Sequence, residues 1–214
     1  MFSKCSRLSA KLAALEVPVL EVIDLQVERN GQRLLSDLSF SVQSGGLVVV
    51  SGGNGVGKSS LLASLVGLLP VASGNIQCPG PEGLFYLSHK RGLRRDLTVL
   101  ENLQQDLRYL FNPQRAETAL TACGLTGLEN RLLRGLSAGQ QQRVALAKLW
   151  LTDAKLWVLD EPLEALDVAM RAVVEEKLQQ HVVNQGAVVV ATHIPLQQSE
   201  LVTRTITLGE QDAI

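Results

Sequence analysis

Apolar and polar positions along the chain fall into strand-like and helix-like segments that succeed one another. Val19 to Glu28 alternates over most of its length, as a half-buried strand does. Asn30-Gly31 signals a hairpin, and Leu38 to Val42 alternates again. Ser44-Gly45-Gly46 then turns the chain into Leu47-Val48-Val49-Val50, a short apolar run of strand type. Ser60 to Leu69 reads as a helix, closed by the breakers between Pro70 and Gly74. Asn75-Ile76-Gln77 and Leu84 to Leu87 read as strands either side of a tight loop, Pro79 to Gly83. The pattern next predicts helices over Leu97 to Phe111, Gln114 to Cys123 and Gly139 to Thr152, punctuated by Gly124, Gly127 and Gly135. Strand and helix alternate again afterwards. Leu156 to Asp160 is a predicted strand, and Val168 to Asn184 a helix with Met170, Val173, Val174 and Leu178 on one face. Ala187 to Ala191 is a predicted buried strand, Pro195 to Leu201 a short helix and Thr203 to Leu208 a last strand. The fold class is therefore α/β, with an antiparallel strand set first and a helical insertion in the middle.

Composition narrows the functions open to such a chain. Its 214 residues are 46% hydrophobic and 19% charged, a globular balance for one large domain, or one domain with a subdomain. A net charge of −1 supplies no general basic field for nucleic acid or anionic lipid. The cluster Lys90, Arg91, Arg94 and Arg95 lacks interleaved aromatics and reads as a solvated or partner-facing loop. Cys5, Cys78 and Cys123 show no metal-site spacing, which fits a reducing compartment. No apolar run reaches the roughly 18–20 residues that span a bilayer. Residues 1–18 carry Lys4, Arg7 and Lys11 without a continuous apolar core, and are expected to be a loosely ordered extension. The expectation is a cytosolic protein that meets a membrane only through a partner.

Three stretches carry chemistry. Gly52-Gly53-Asn54-Gly55-Val56-Gly57-Lys58-Ser59-Ser60 fits the phosphate-loop pattern G-x-x-x-x-G-K-[ST], between a predicted strand and a predicted helix. That context aims backbone N–H groups at one anion near the positive end of a helix. Lys58 would reach the β- and γ-phosphates of ATP, and the Ser59 hydroxyl would ligate Mg2+. Asp160 and Glu161 close an apolar strand; in phosphate-loop ATPases such an Asp holds Mg2+, and the adjacent Glu can polarise the attacking water. Leu136-Ser137-Ala138-Gly139-Gln140-Gln141-Gln142-Arg143 opens a helix with a hydroxyl and bare backbone N–H groups, a second candidate anion site in a chain with one phosphate loop.

Taken with the phosphate loop and the Asp160-Glu161 pair, that last run resembles the signature of the ATP-binding-cassette (ABC) ATPases, usually Leu-Ser-Gly-Gly-Gln, with Ala138 replacing the first glycine. The resemblance covers about residues 19–209. It implies a P-loop NTPase core with an antiparallel β subdomain and a helical subdomain at about 90–152, leaving 210–214 as a tail. It also implies that two copies sandwich two ATP molecules, each between the phosphate loop of one copy and the signature of the other. Ser137, Gly139 and Gln140 would then meet the partner's γ-phosphate. Asp167, in Glu164-Ala165-Leu166-Asp167, would couple the two sites, and His193 would be the switch histidine at the γ-phosphate. The chain departs from the family pattern twice. Lys90 stands where a glutamine is usual, and a lysine repels the metal that the glutamine would contact. Arg29 stands where an aromatic usually stacks on adenine, a role that a guanidinium face can take.

Ser137 to Leu151, Lys155 to Pro162, Arg29 before Asn30, His89 before Gly92-Leu93, and Leu97-Thr98 with Glu101-Asn102-Leu103 further resemble the CcmA group. These are ATPase subunits of bacterial cytochrome c maturation, also described as haem exporter ATP-binding proteins. The resemblance implies a peripheral subunit on the cytoplasmic face of the bacterial inner membrane, paired with a membrane subunit of the CcmB type and working with CcmC and CcmD. Its ATP hydrolysis would be tied to haem export or to release of a haem-loaded chaperone. His89, His181 and His193 form no haem-attachment pattern of their own. Three other readings share the catalytic motifs: another ABC transporter subunit, such as a lipoprotein-release ATPase; a nucleic-acid-linked ABC clamp, disfavoured by the charge; and a cassette slowed by Lys90 that acts as a conformational switch.

Overall fold

The computed structural model describes residues 17–29, 31–88, 92–105 and 112–209. Expectations that fall on residues 1–16, Asn30, His89, Lys90, Arg91, residues 106–111 and residues 210–214 lie outside the described residues. That includes the glutamine-position lysine.

The chain opens with an antiparallel pair, β1 (Leu20–Arg29) and β2 (Gln32–Val42), in which Arg29 lies opposite Gln32 across the expected tight turn. β1 buries Leu20, Val22, Leu25 and Val27, its alternation reset by an irregularity in the pairing between Val22 and Leu25, where Asp24 has φ +47°. β3 (Leu47–Ser51) leads through the glycine loop into α1 (Lys58–Leu65). β4 (Ser73–Gln77) returns to the first sheet, giving the order β2-β1-β4. β5 (Leu84–Leu87) precedes the helices α2 (Val99–Gln104), α3 (Pro113–Ala122) and α4 (Ala138–Ala147). β6 (Leu156–Asp160), α5 (Val168–Val183), β7 (Ala187–Ala191) and β8 (Arg204–Thr207) complete the chain. The second sheet is parallel, in the order β5-β6-β7-β3-β8.

Covering both faces of a parallel sheet requires strands that are apolar on both sides. β6 and β7 are buried along their whole length. Leu156 and Val158 join one apolar cluster, with α1 and the antiparallel sheet; Trp157 and Leu159 join the other, with α3, α4 and α5. The central sheet thus separates two cores, and its strand ends are the common ground between them.

Helix starts follow their capping chemistry. Thr98 and Glu101 form a capping box at α2, as Ser137 and Gln140 do at α4. Asn112 and Pro113 open α3, and Asp167 caps α5. Four expected helices come out differently. The one expected over Gly139 to Thr152 is α-helical to Ala147 and continues only as a 3-10 turn, Lys148–Trp150. α1 begins earlier and stops sooner than Ser60 to Leu69, because Gly67, at φ +74°, turns the chain out of the helix. The predicted Leu97 to Phe111 helix is described only as Val99–Gln104, since the Thr98 box fixes its start. Pro195 to Leu201 holds only a single 3-10 turn, Ser199–Leu201. In the same segment the Gln197 N–H donates to the Glu175 carboxylate of α5, at 2.9 Å.

Candidate functional site

Three adjacent strand ends meet at one cavity of about 720 Å3. The phosphate loop follows β3, Glu161 follows β6, and His193 follows β7, which lies between the other two. Ligand sites in open parallel sheets lie outside the carboxyl ends of the strands in this way. Asn54, Gly55, Gly57, Lys58, Ser59 and Ser60 line the cavity together with Arg29, Glu161 and His193. Val56 turns inward against the apolar cluster below. Gly52 allows the tight start of the loop. Its φ is +136°, and a Cβ there would come within 2.7 Å of the Leu208 carbonyl oxygen.

Helix α1 begins after Gly57, with no side chain capping its first turn. Its leading N–H groups therefore keep their capacity for an anion. Lys58 is the first residue of that helix and is only 8% exposed. Its ammonium donates to the carbonyl oxygens of Gly52 at 2.8 Å and Gly53 at 3.1 Å, and lies 3.9 Å from Glu161 Oε1. The loop is thus folded over its own lysine.

Glu161 has φ +50°, a left-handed region that a residue with a Cβ rarely occupies, and its N–H donates to the Ala191 carbonyl at 2.9 Å. That backbone turns the carboxylate back over the strand ends. Oε2 accepts from the His193 backbone N–H at 3.3 Å and pairs with His193 Nδ1 at 3.0 Å. With a carboxylate as acceptor, Nδ1 carries the proton. A line of contacts therefore runs from Lys58 through Glu161 to His193.

Asp160 is buried at the last position of β6, and its Oδ1 has no hydrogen-bond partner. An orphaned carboxylate oxygen next to a phosphate loop is the donor expected of a hard-cation site. The Ser59 hydroxyl is exposed on the cavity wall. These two residues fit Mg2+. Beside Asp160, the Tyr86 phenol is pushed up to about 12, first by burial and then by the Asp160 charge, so it stays neutral.

The remaining expected residues lie apart from this cavity. Ser137, Gly139 and Gln140 do not line it. The Ser137 hydroxyl accepts from the Gln140 N–H, and Gln140 Oε1 accepts from the Ser137 N–H. Asp167 accepts from the Met170 N–H at 2.7 Å and pairs with Arg143 of α4. Two contributors had no role assigned from the sequence. Leu34 and Glu164 line the cavity, brought there by the hairpin and by the turn after Glu161. Gln142, 5% exposed, donates to the Pro162 carbonyl at 3.1 Å and ties the signature helix to the Asp160-Glu161 strand end. Gln142 lies within the signature run, but its partner is set by the fold.

Comparison with known proteins points one way. A family model described as ABC transporter matches residues 35–164. The cytochrome c biogenesis ATP-binding export protein CcmA of Rhodobacter capsulatus is 42% identical over 182 residues, covering 85% of this chain and 84% of that protein. The protein of the same name from Escherichia coli O157:H7 is 39% identical over 206 residues, covering 92% and 99%. Among solved structures, an ATP-binding subunit of an ABC transporter superposes with a TM-score of 0.79 at 25% identity, over 89% of this chain and 85% of that one. A putative ABC transporter ATP-binding protein from Pyrococcus furiosus gives 0.76 at 25% identity, over 88% and 96%.

Proposed function

Because this chain belongs to the ABC transporter ATP-binding family, in its cytochrome c biogenesis (CcmA) branch, we propose that it powers cytochrome c maturation by closing in pairs on ATP. It is the ATPase subunit; no helix among the described residues is long and apolar enough to cross a membrane. The observation that carries the proposal is the contact line Lys58–Glu161–His193 beneath an uncapped α1.

In this reading the phosphates of ATP take the place of the Gly52 and Gly53 carbonyls at the Lys58 ammonium, and the first-turn N–H groups of α1 receive the negative oxygens. Ser59 and Asp160 hold Mg2+, which neutralises phosphate charge when bound. Glu161 accepts a proton from the attacking water, and His193 holds the Glu161 carboxylate in position and meets the γ-phosphate. Arg29 stacks on the adenine from the cavity rim. Ser137, Gly139 and Gln140 complete the second copy's site, and Asp167 couples the two. Their absence from this cavity supports a sandwich in which each site is built from two chains.

The membrane partner is of the CcmB type, with CcmC and CcmD, on the cytoplasmic face of the inner membrane. A groove of about 480 Å3 between α2 and α3, lined by Leu100, Pro113, Ala116 and Leu120 and rimmed by Glu117 and Glu129, supports docking on the helical side. The work done is haem export or release of a haem-loaded chaperone.

The test is Glu161→Gln in the native host. We expect covalent haem in periplasmic c-type cytochromes to vanish while membrane b-type haem persists, and the purified variant to keep ATP bound with turnover lowered at least 100-fold. Normal c-type cytochromes in a strain whose ATPase is dead would overturn the maturation reading. Full turnover by the variant would overturn the role of Glu161.

A further inference from the structure

Glu175 lies outside the cavity and outside every motif, yet it is a carboxylate only 4% exposed. It projects from the middle of α5 into surroundings that include Leu47, Leu178, Leu196 and Leu201. A carboxylate placed among leucines is costly unless it is satisfied. Among the described residues its hydrogen bond goes to one donor, the backbone N–H of Gln197, at 2.9 Å.

Gln197 belongs to the segment that carries His193. That segment leaves β7 through a local staple, in which the Ile194 N–H donates to Thr192 Oγ1 at 3.0 Å and Thr192 Oγ1 donates to the Ile194 carbonyl at 3.1 Å. Pro195 follows and offers no N–H of its own. His193 is thus held on its β7 side by Thr192 and on its far side by Glu175. At the other end of the same helix, Asp167 caps α5 and pairs with Arg143 of the signature helix. Eight residues separate Asp167 from Glu175 in the chain, about 12 Å along a helix axis.

We infer that Glu175 is a positioning residue: it sets where His193 stands over Glu161, and it ties that position to the Asp167 end of α5. This rests on the roles proposed above for His193 and Asp167. A helix moves as a rod, so a shift imposed at Asp167 reaches Gln197 through the Glu175 carboxylate rather than through the cavity. Glu175 touches no reacting atom; it acts through the backbone of the His193 segment.

The experiment measures kcat and KM for ATP in the full chain within its membrane complex, for Glu175→Leu, Glu175→Gln, His193→Ala and the double variant Glu175→Leu/His193→Ala. We expect Glu175→Leu to lower kcat roughly tenfold or more, as a displaced positioning contact does, with KM changed less than twofold. Glu175→Gln keeps an oxygen acceptor for the Gln197 N–H and should return kcat to within about threefold of the parent. In the double variant, Glu175→Leu should add nothing to His193→Ala, because the two act as one unit. If Glu175→Leu fails to fold, Gln197→Pro removes the donor while leaving the helix intact, and the same loss in kcat is expected. An unchanged kcat in the folded variants would overturn the inference, as would losses that multiply in the double variant. Full turnover by His193→Ala alone would overturn the histidine's role and this inference with it, and that result is separable from a failure confined to Glu175.

Discussion

Lys58 spends its charge on carbonyl oxygens of its own loop, since Gly52 and Gly53 both accept from it while Glu161 stands 3.9 Å away. A lysine so enclosed has its stem already ordered, so phosphate exchanges one set of oxygens for another without first freezing a mobile side chain. Lys58→Ala should weaken ATP binding by roughly ten- to hundredfold, the range of a charge-assisted hydrogen bond of about 1.5–3 kcal/mol, read by titration with a fluorescent ATP analogue. His181 shows a different effect of burial. It stacks on Trp157 at 3.7 Å between ring centroids, and Nε2 lies 3.2 Å from the Lys155 carbonyl. Burial, the leading cause, pushes its pKa down to about 4. The unfolded imidazole protonates near 6.5, so the unfolded chain takes the proton first as pH falls. The stability from a neutral His181 is therefore complete above about pH 6.5 and is lost as pH falls from there through about 4. Melting temperature should drop across that window, and His181→Phe, which keeps a ring over Trp157, should show a shallower drop.

Elements are held by contacts of unequal visibility. Asn102 of α2 is 1% exposed; its Oδ1 accepts from the Arg94 N–H at 2.8 Å, and its Nδ2 donates to the carbonyls of Arg94 at 3.0 Å and Thr98 at 2.8 Å. It fastens the loop before α2 to the helix. The Thr98 and Arg94 carbonyls keep backbone donors, but Asn102→Leu leaves the Arg94 N–H unmatched, at a cost of about 1–3 kcal/mol. The expected fall in melting temperature is roughly 3–10 °C, with ATP affinity unchanged, by thermal denaturation and nucleotide titration. No periodicity announces such an asparagine. By contrast β6 and β7 could be read from sequence, because strands buried on both faces must be apolar at every position. The motif residues Lys58, Glu161 and His193 could be read because their chemistry tolerates few alternatives. The pairings Gln142 with Pro162 and Glu175 with Gln197 could not, since partners far apart in sequence meet only once the sheet has formed. Pro195 to Leu201 likewise reads as helix yet holds a single 3-10 turn, with the Gln197 N–H bonded to a carboxylate of α5.

At the scale of the whole molecule, the parallel sheet divides the chain into a face that carries α1 and the antiparallel strands and a face that carries the helical insertion. The cavity collects its residues from strand ends shared by both faces, and Gln142 joins the signature helix to that shared edge. A buried hydrogen bond thus links the helical side to the turn that follows Asp160 and Glu161. The signature serine that stays clear of the cavity has a kinetic corollary. If every working site is assembled from two chains, the free chain hydrolyses ATP with a rate that rises as the square of its concentration when dilute, and linearly once pairs are saturated. Specific activity of the purified chain should climb with protein concentration and then level off. A membrane complex that holds two copies side by side would replace that encounter with an effective concentration of millimolar order, making the rate per complex independent of how many copies the cell contains.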